Sequence, residues 1–172
     1  MYRLILFFCF FLSVSCSDTD DSGNLLKNRV LEGAVSVALP SDFTRLTPRD
    51  IRRKFSAYSF PEEAWGDMDK NVWISFRRIA RPDTDSLDDI TEKERLKFII
   101  FEPVVTRITV NGKEARRVAM TIPGQDGTEM KTIIQFQYHD KKLIVSEYSV
   151  SLEYVDQYEP TGLTILNSVH PG

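Results

Sequence analysis

Residues 104–151 read VVTRITVNGKEARRVAMTIPGQDGTEMKTIIQFQYHDKKLIVSEYSVS. The run divides into four apolar-rich segments joined by Asn111-Gly112, by a Gly-Gln-Asp-Gly turn at 124–127 and by a polar connection at 139–142. Asn-Gly between two apolar segments is the strongest short signal for a β-hairpin. None of the three connections is long enough for a crossover between parallel strands. The sequence therefore predicts a four-stranded antiparallel meander.

The meander is predicted to have one apolar face and one more polar face, because alternate residues of a strand point to opposite sides. An apolar face must be covered, and helices are the available cover. The polar face is predicted to carry Arg107, Arg117, Thr121, Gln135 and Gln137. The residues predicted to face the core are Ile108, Val110, Val118, Met120, Ile122, Ile134, Phe136, Tyr138, Ile144, Tyr148 and Val150.

Further strands and helices are predicted around the meander. Alternation predicts strands at 34–39 and 71–79, with an irregular stretch at 60–70 between them. Helices are predicted to start at Thr47-Pro48 and at Ser86, since Thr and Ser cap helices and Pro suits the first helical position. For the same reason a last helix is predicted to begin at Pro160. These elements predict an α+β fold, an antiparallel sheet of about six strands flanked by helices.

Two short segments carry a family resemblance. The chain reads VALPSDF at residues 37–43 and ILNSV at residues 165–169. With the predicted element order, these segments resemble the PsbP-like superfamily, which includes the photosystem extrinsic subunit, DcrB-type bacterial lipoproteins and Mog-type Ran-binding import factors. The resemblance covers about residues 33–170. It implies a PsbP-like α/β sandwich and a protein-binding role without enzymatic activity, but it assigns no functional residue, since a fold does not specify a site.

The amino-terminal segment resembles a bacterial lipoprotein signal. A basic start at Arg3 is followed by nine apolar residues, 4–12, and by small residues ahead of Cys16. Nine apolar residues are too few to span a bilayer, which takes about 20. The resemblance implies a lipid on Cys16 as the membrane anchor, and Ser17 resembles lipoproteins of the outer membrane. An ordinary cleaved signal peptide with an incidental Cys, or an uncleaved short anchor, is the alternative.

The predicted organisation is a signal peptide at 1–15, a lipidated Cys with a flexible tether at 16–30, and a single PsbP-like domain at 31–172. Removing Arg3 leaves one basic residue fewer than the 22 of the full chain, against 25 acidic ones. This acidic balance argues against a nucleic-acid binder. Both cysteines, Cys9 and Cys16, precede the domain, so disulfides and thiolate metal sites are not expected in it.

No catalytic, cofactor or metal motif is recognisable. His139 and His170 are far apart and have no second ligand at metal-binding spacing, and the chain has no phosphate loop, nucleophile elbow or zinc-protease motif. Spatial pairs of carboxylates leave no such motif, so they stay open. The protein is therefore not expected to be an enzyme.

Five residues are candidates for binding a partner. Arg77, Arg107 and Arg117 would form a cationic stripe on the polar face if their strands are neighbours. The alternative is that each Arg pairs with a nearby Glu or covers apolar surface. Trp73 shares the side of Arg77, and Trp65 lies in a predicted loop, where it is either an interface anchor or a lid over a helix edge.

The predicted function is a non-catalytic, lipid-anchored module of the cell envelope that binds an envelope protein. The anchor, the tether and the family resemblance favour this role. The rival is a small-molecule-binding or enzyme-like lipoprotein with a pocket between the sheet and a flanking helix.

Overall fold

The computed structural model describes residues 24–55, 60–80 and 85–171. The predicted signal peptide and Cys16 lie outside these residues. The described strands are β1 (Leu25–Val30), β2 (Val35–Pro40), β3 (Thr44–Arg45), β4 (Glu63–Asp67), β5 (Val72–Ala80), β6 (Val104–Val110), β7 (Lys113–Pro123), β8 (Glu129–His139), β9 (Lys142–Ser151) and β10 (His170–Pro171). The described helices are α1 (Pro48–Lys54), α2 (Leu87–Lys97) and α3 (Val155–Ser168), with 3₁₀ turns at Ile99–Phe101 and Leu152–Tyr154.

The predicted meander is confirmed as β6 to β9, and so is the α+β class. These strands form most of a seven-stranded antiparallel sheet in the order β3-β4-β5-β9-β8-β7-β6. Asn111 and Gly112 both have positive φ, 51° and 76°, as a two-residue hairpin turn requires. The predicted starts of α1 and α2 are also confirmed, because Thr47 and Ser86 cap them through the backbone N–H groups of Asp50 and Asp89.

The prediction of a single apolar face is wrong, because both faces of the sheet are covered. Ile133 pairs with Tyr148 and Ile134 pairs with Glu147, so Ile134 and Phe136 point away from Ile144 and Tyr148. The strands are apolar on both sides, and only their register shows which side chains share a face. We call the two sides the closed face and the helix face.

The closed face packs against a second, three-stranded sheet in the order β1-β2-β10 and against α3. Residues from both layers form one apolar cluster. Its fully buried side chains include Val37, Leu39, Val72, Ile74, Phe76, Ile144, Tyr148, Val150, Ile165 and Leu166. On the helix face, two smaller clusters lie under α2 and α1.

Three predicted boundaries are wrong. Residues 25–30, predicted as tether, form β1, whose polar residues Lys27, Asn28 and Arg29 mark it as an edge strand paired only with β2. The irregular stretch at 60–70 contains β4, which pairs with β5. Helix α3 begins before Pro160, because the hydroxyl of the buried Tyr148 donates a 2.6 Å hydrogen bond to the Tyr158 carbonyl and holds the preceding turn on the core.

Candidate functional site

A cavity of about 230 Å³ lies on the helix face of the large sheet. Strands β5, β7, β8 and β9 form its floor, the ends of α1 and α2 its walls, and the β7–β8 turn its rim. Apolar atoms supply more of the lining surface than polar atoms do, as in small-molecule pockets. The apolar lining residues are Phe55, Phe98, Met120, Ile122, Pro123, Met130 and Ile134, and the polar and charged ones are Lys54, Arg77, Glu94, Gln125, Thr132, Glu147 and Ser149.

Glu147 lies on the floor of this cavity, in the central strand β9 between Ser75 and Ile134. Its side chain is half-buried and lines the cavity. Burial raises the pKa of the Glu147 carboxyl to about 7, against the attraction of Arg77 and with a further contribution from the charge of Glu94. Among the described residues no donor makes a hydrogen bond to this carboxyl, so the cavity holds a carboxylate without a fixed partner.

Arg77 stands beside Glu147 on the floor. It pairs with Val145, two residues along β9 from Glu147, and so occupies a diagonal position on the same face. The side chain is half-buried and makes no hydrogen bond or ion pair with any residue in the described ranges. Arg77 and Glu147 therefore carry opposite charges in one cavity. The guanidinium N–H donors of Arg77 and the carboxyl oxygens of Glu147 make no hydrogen bond to a described residue.

The other two charged residues of the lining have their own partners. Glu94 of α2 accepts a 2.7 Å hydrogen bond from Lys97. Lys54 at the end of α1 donates to Asn71 at 2.6 Å and to Asp126 at 3.2 Å, and its ammonium lies 5.2 Å from the centroid of the Trp73 ring. These contacts leave Arg77 and Glu147 as the charged groups of the cavity that are available to a ligand.

The three arginines do not form the cationic stripe considered for them, because they do not share a face. Arg117 lies on the closed face, where it donates to Gln135 and Asn167 and where burial lowers its pKa. Arg107 lies on the helix face, is exposed and forms a 2.8 Å ion pair with Asp88. The same carboxylate holds the buried Arg116 at 2.7 Å, which the sequence prediction missed.

The two tryptophans also differ from the predictions. Trp65 lies in β4 rather than in a loop, is half-buried against the closed-face core and donates from Nε1 to Glu63 at 2.9 Å. Trp73 lies under α1 with its ring edge against Phe55, and only 5% of its surface is exposed. Its indole N–H is buried and has no hydrogen-bond partner among the described residues. Neither ring is an exposed anchor, but Trp73 packs against a wall of the cavity.

Sequence reasoning missed Glu147 and Glu94. A signal existed for the first, because Glu147 interrupts the otherwise apolar or small residues 143–150 of a predicted strand. Among the described residues no group of three or more His, Cys, Asp or Glu side chains could hold a metal ion. Within the same part of the chain, no helix is long and apolar enough to cross a membrane.

Five residues with exposed apolar side chains lie within residues 96–105, where α2 ends and β6 begins, and we call this group the apolar patch. It consists of Leu96, Ile99, Ile100, Val104 and Val105, of which Ile100 is 80% and Val104 62% exposed. Strand β6 is the last strand of the large sheet and pairs only with β7. The apolar patch therefore adjoins a row of backbone groups that no described strand uses.

The comparisons with known proteins identify the fold. No family model and no curated protein matches this chain. Among solved structures, the cyanobacterial PsbP of Synechocystis is 14% identical with a TM-score of 0.63, and the match covers 92% of this chain and 98% of that one. LpqN of Mycobacterium tuberculosis, described as involved in cell envelope biogenesis, is 9% identical with a TM-score of 0.56, covering 85% and 90%.

A protein from Bacteroides thetaiotaomicron is 10% identical with a TM-score of 0.54, and the match covers 88% of this chain and 49% of that one. The chain thus has the PsbP-like fold, and the predicted resemblance to that superfamily is confirmed. At these identities the likeness concerns the fold.

Proposed function

We propose that this protein is a non-catalytic, lipid-anchored cell-envelope module that docks a protein partner through its apolar patch. The observation that carries the proposal is that five exposed apolar side chains lie within residues 96–105, next to the edge of β6 with which no described strand pairs. Isolated exposed apolar residues are ordinary, but a group of them at one place is typical of an interaction site. The lipoprotein-like signal supplies the anchor on Cys16, in the outer membrane.

Strand addition is the docking mode that this geometry supports. A partner strand beside β6 would pair with its outward backbone groups, while Val104 and Ile100 would contact the partner's apolar side chains. Arg107 is the only charged residue of β6, so the edge has little of the charge that protects exposed edges from pairing.

The proposal is tested by site-specific photocrosslinking of the intact lipoprotein in its native membrane. A photoreactive residue at position 100 should yield a discrete protein adduct, whereas the same residue at position 26 should not. Leu26 is the matched control, because it is an exposed apolar residue on a strand of the other sheet. Val104→Asp should remove the adduct, and Leu26→Asp should leave it in place.

Two results would contradict the proposal. Equal crosslinking from positions 100 and 26 would mean that the apolar patch has no preferred protein partner. Adducts to lipid alone would mean that the patch rests on the membrane surface. Mass spectrometry of a membrane-extracted peptide that starts at Cys16 tests the anchor separately, since an unmodified amino terminus downstream of Cys16 would refute it.

A further inference from the structure

We propose that the cavity on the helix face is a binding site for a small zwitterion with an apolar side chain, the size of an aliphatic amino acid. The ligand carboxylate would accept hydrogen bonds from Arg77, its ammonium would donate to Glu147, and its side chain would lie against Met120, Met130 and Ile134. This site is independent of the apolar patch, because it needs no partner protein.

The charges of the cavity specify the two ends of the ligand. A guanidinium presents several N–H donors in a planar fork that matches a carboxylate, and Arg77 has no described hydrogen-bonded partner for them. Glu147 is the one carboxylate of the lining without a described hydrogen bond, since Glu94 is held by Lys97. Arg77 and Glu147 attract each other, but neither is hydrogen-bonded to a described residue through its side chain, so a ligand that bonds to both supplies the contacts that they lack.

The size and the walls of the cavity specify the rest of the ligand. A dry apolar cavity of about 150 Å³ accepts a benzene molecule. This cavity, at about 230 Å³, has room for a short branched chain and two polar groups, but none for a nucleotide or a sugar chain. Phe55 and Phe98 flank it from the two helices, so that the apolar part of such a ligand would be partly removed from water.

The test is a calorimetric titration of the purified protein with four probes that share one branched tail. They are L-leucine with both charges, 4-methylpentanoate with the carboxylate, 3-methylbutylamine with the ammonium, and 4-methylpentanamide with neither. L-leucine should bind about tenfold or more tightly than each of the other three, because it alone satisfies both groups. Equal binding of the neutral amide, or no binding of L-leucine, would overturn the proposal.

Variants identify the contacts. Arg77→Gln and Glu147→Gln should each weaken L-leucine binding about tenfold or more. Arg107→Gln removes an arginine from the same face outside the cavity and should leave the affinity unchanged. Backbone NMR spectra of each variant show whether it is folded. Two folded cavity variants with unaltered affinity for L-leucine would refute the assignment, even if the protein binds that probe.

The pH dependence provides a second readout. Arg77 from β5, Glu94 from α2 and Lys54 from α1 are the charged groups that line the cavity around Glu147. As the pH falls from about 8.5 to about 5.5, Glu147 gains its proton and L-leucine should bind more weakly, whereas binding of 4-methylpentanoate should not weaken. Tighter binding of L-leucine at the lower pH would contradict a contact between its ammonium and the Glu147 carboxylate.

Discussion

The two faces of the seven-stranded sheet are covered differently. On the closed face, Phe76 and Tyr148 pack with the second sheet and with α3 in one apolar cluster, and the buried carboxylate of this face, Glu63, is hydrogen-bonded to the Leu31 backbone N–H. On the helix face, two short helices leave a cavity whose floor carries Arg77 and Glu147. The same strands form both faces, so the difference in coverage comes from the elements that pack on them: the second sheet and α3 on the closed face, and α1 and α2 on the helix face.

This contrast separates stability from binding in one small domain. The apolar layer of the closed face gives most of the free energy of folding, because it removes large side chains from water. The carboxylate buried on this face, Glu63, accepts hydrogen bonds from the Leu31 backbone N–H and from Trp65 Nε1. A face that already has this support on its other side can accept the cost of a buried carboxylate. Charges placed against a rigid sheet are also held in position for a ligand. The closed face should therefore control unfolding, and the helix face should control binding.

The largest expected effect comes from truncating the closed face. Phe76→Ala should lower the free energy of unfolding by about 3–5 kcal/mol, because Phe76 is fully buried and its removal leaves a cavity. Met120→Ala on the helix face should cost about 2 kcal/mol, the low end for a buried Met, since Met120 already borders a cavity. Urea unfolding followed by circular dichroism measures both. A larger decrease in the free energy of unfolding for Met120→Ala than for Phe76→Ala would mean that the helix face, not the closed face, contributes more to stability.

Overpacking the closed face should have the next largest effect. A Cβ atom at Gly162 of α3 would overlap the ring of Tyr148, which is fully buried and cannot withdraw. Gly162→Ala should therefore lower the free energy of unfolding by about 1–3 kcal/mol, against the usual gain from Ala in a helix. Thr161→Ala, one residue earlier, is the control. Stabilisation by Gly162→Ala in the same urea experiment would show that this contact is loose.

The helix face should make stability depend on pH through Glu147. Its pKa rises from an ordinary 4.5 to about 7 in the folded protein. Between these values the folded state keeps a proton that the unfolded chain has released, so stability falls as the pH rises. Between pH 4.5 and 7, the free energy of unfolding should therefore decrease less in Glu147→Gln than in the unmodified protein. The expected difference is about 1–3 kcal/mol. Urea unfolding across this range measures it, and a fall that persists in the variant would assign it to another group.

The smallest effect is expected at the cap of α1, which carries the Lys54 and Phe55 wall of the cavity. The Thr47 side chain accepts from the Asp50 backbone N–H at 3.3 Å, and Asp50 accepts from the Thr47 backbone N–H at 3.2 Å. Thr47→Ala should cost about 1 kcal/mol, and Thr47→Ser should cost less because it keeps the acceptor. Hydrogen exchange of α1 amides checks this, and unaltered exchange in Thr47→Ala would mean that packing alone holds α1.

Local signals in the sequence were sufficient for much of the fold. Asn111-Gly112 identifies the first hairpin of the meander, and Thr47-Pro48 and Ser86 identify two helix starts, because these residues act through their own backbone geometry. Strand β1 was missed, since Lys27, Asn28 and Arg29 on an edge strand look the same as a polar tether. The start of α3 was misplaced because the contact of Tyr148 with Tyr158 is tertiary and outweighs the preference of Pro160 for a first turn.

The candidate site was harder to predict from the sequence than the fold, because it depends on the register in which the strands pair. Arg77 and Arg117 both lie among apolar residues, and only the pairing of β5, β9, β8 and β7 shows that they project from opposite faces. The same pairing brings Glu147 beside Arg77. The available signal was a single carboxylate, Glu147, inside an apolar strand. That Glu147 lines a cavity becomes visible only when the two helices are placed on the sheet.

The central claim, that one face is closed and the other holds a carboxylate in a cavity, is tested most directly by titrating the Glu147 side chain. Carbon-detected NMR of the glutamate carboxyl carbons follows each group separately, and the spectrum of Glu147→Gln identifies its resonance. The account predicts a midpoint near pH 7 for Glu147, because burial disfavours its charged form. A midpoint near 4.5 would show that the carboxyl is solvated like a surface group, and it would contradict the account.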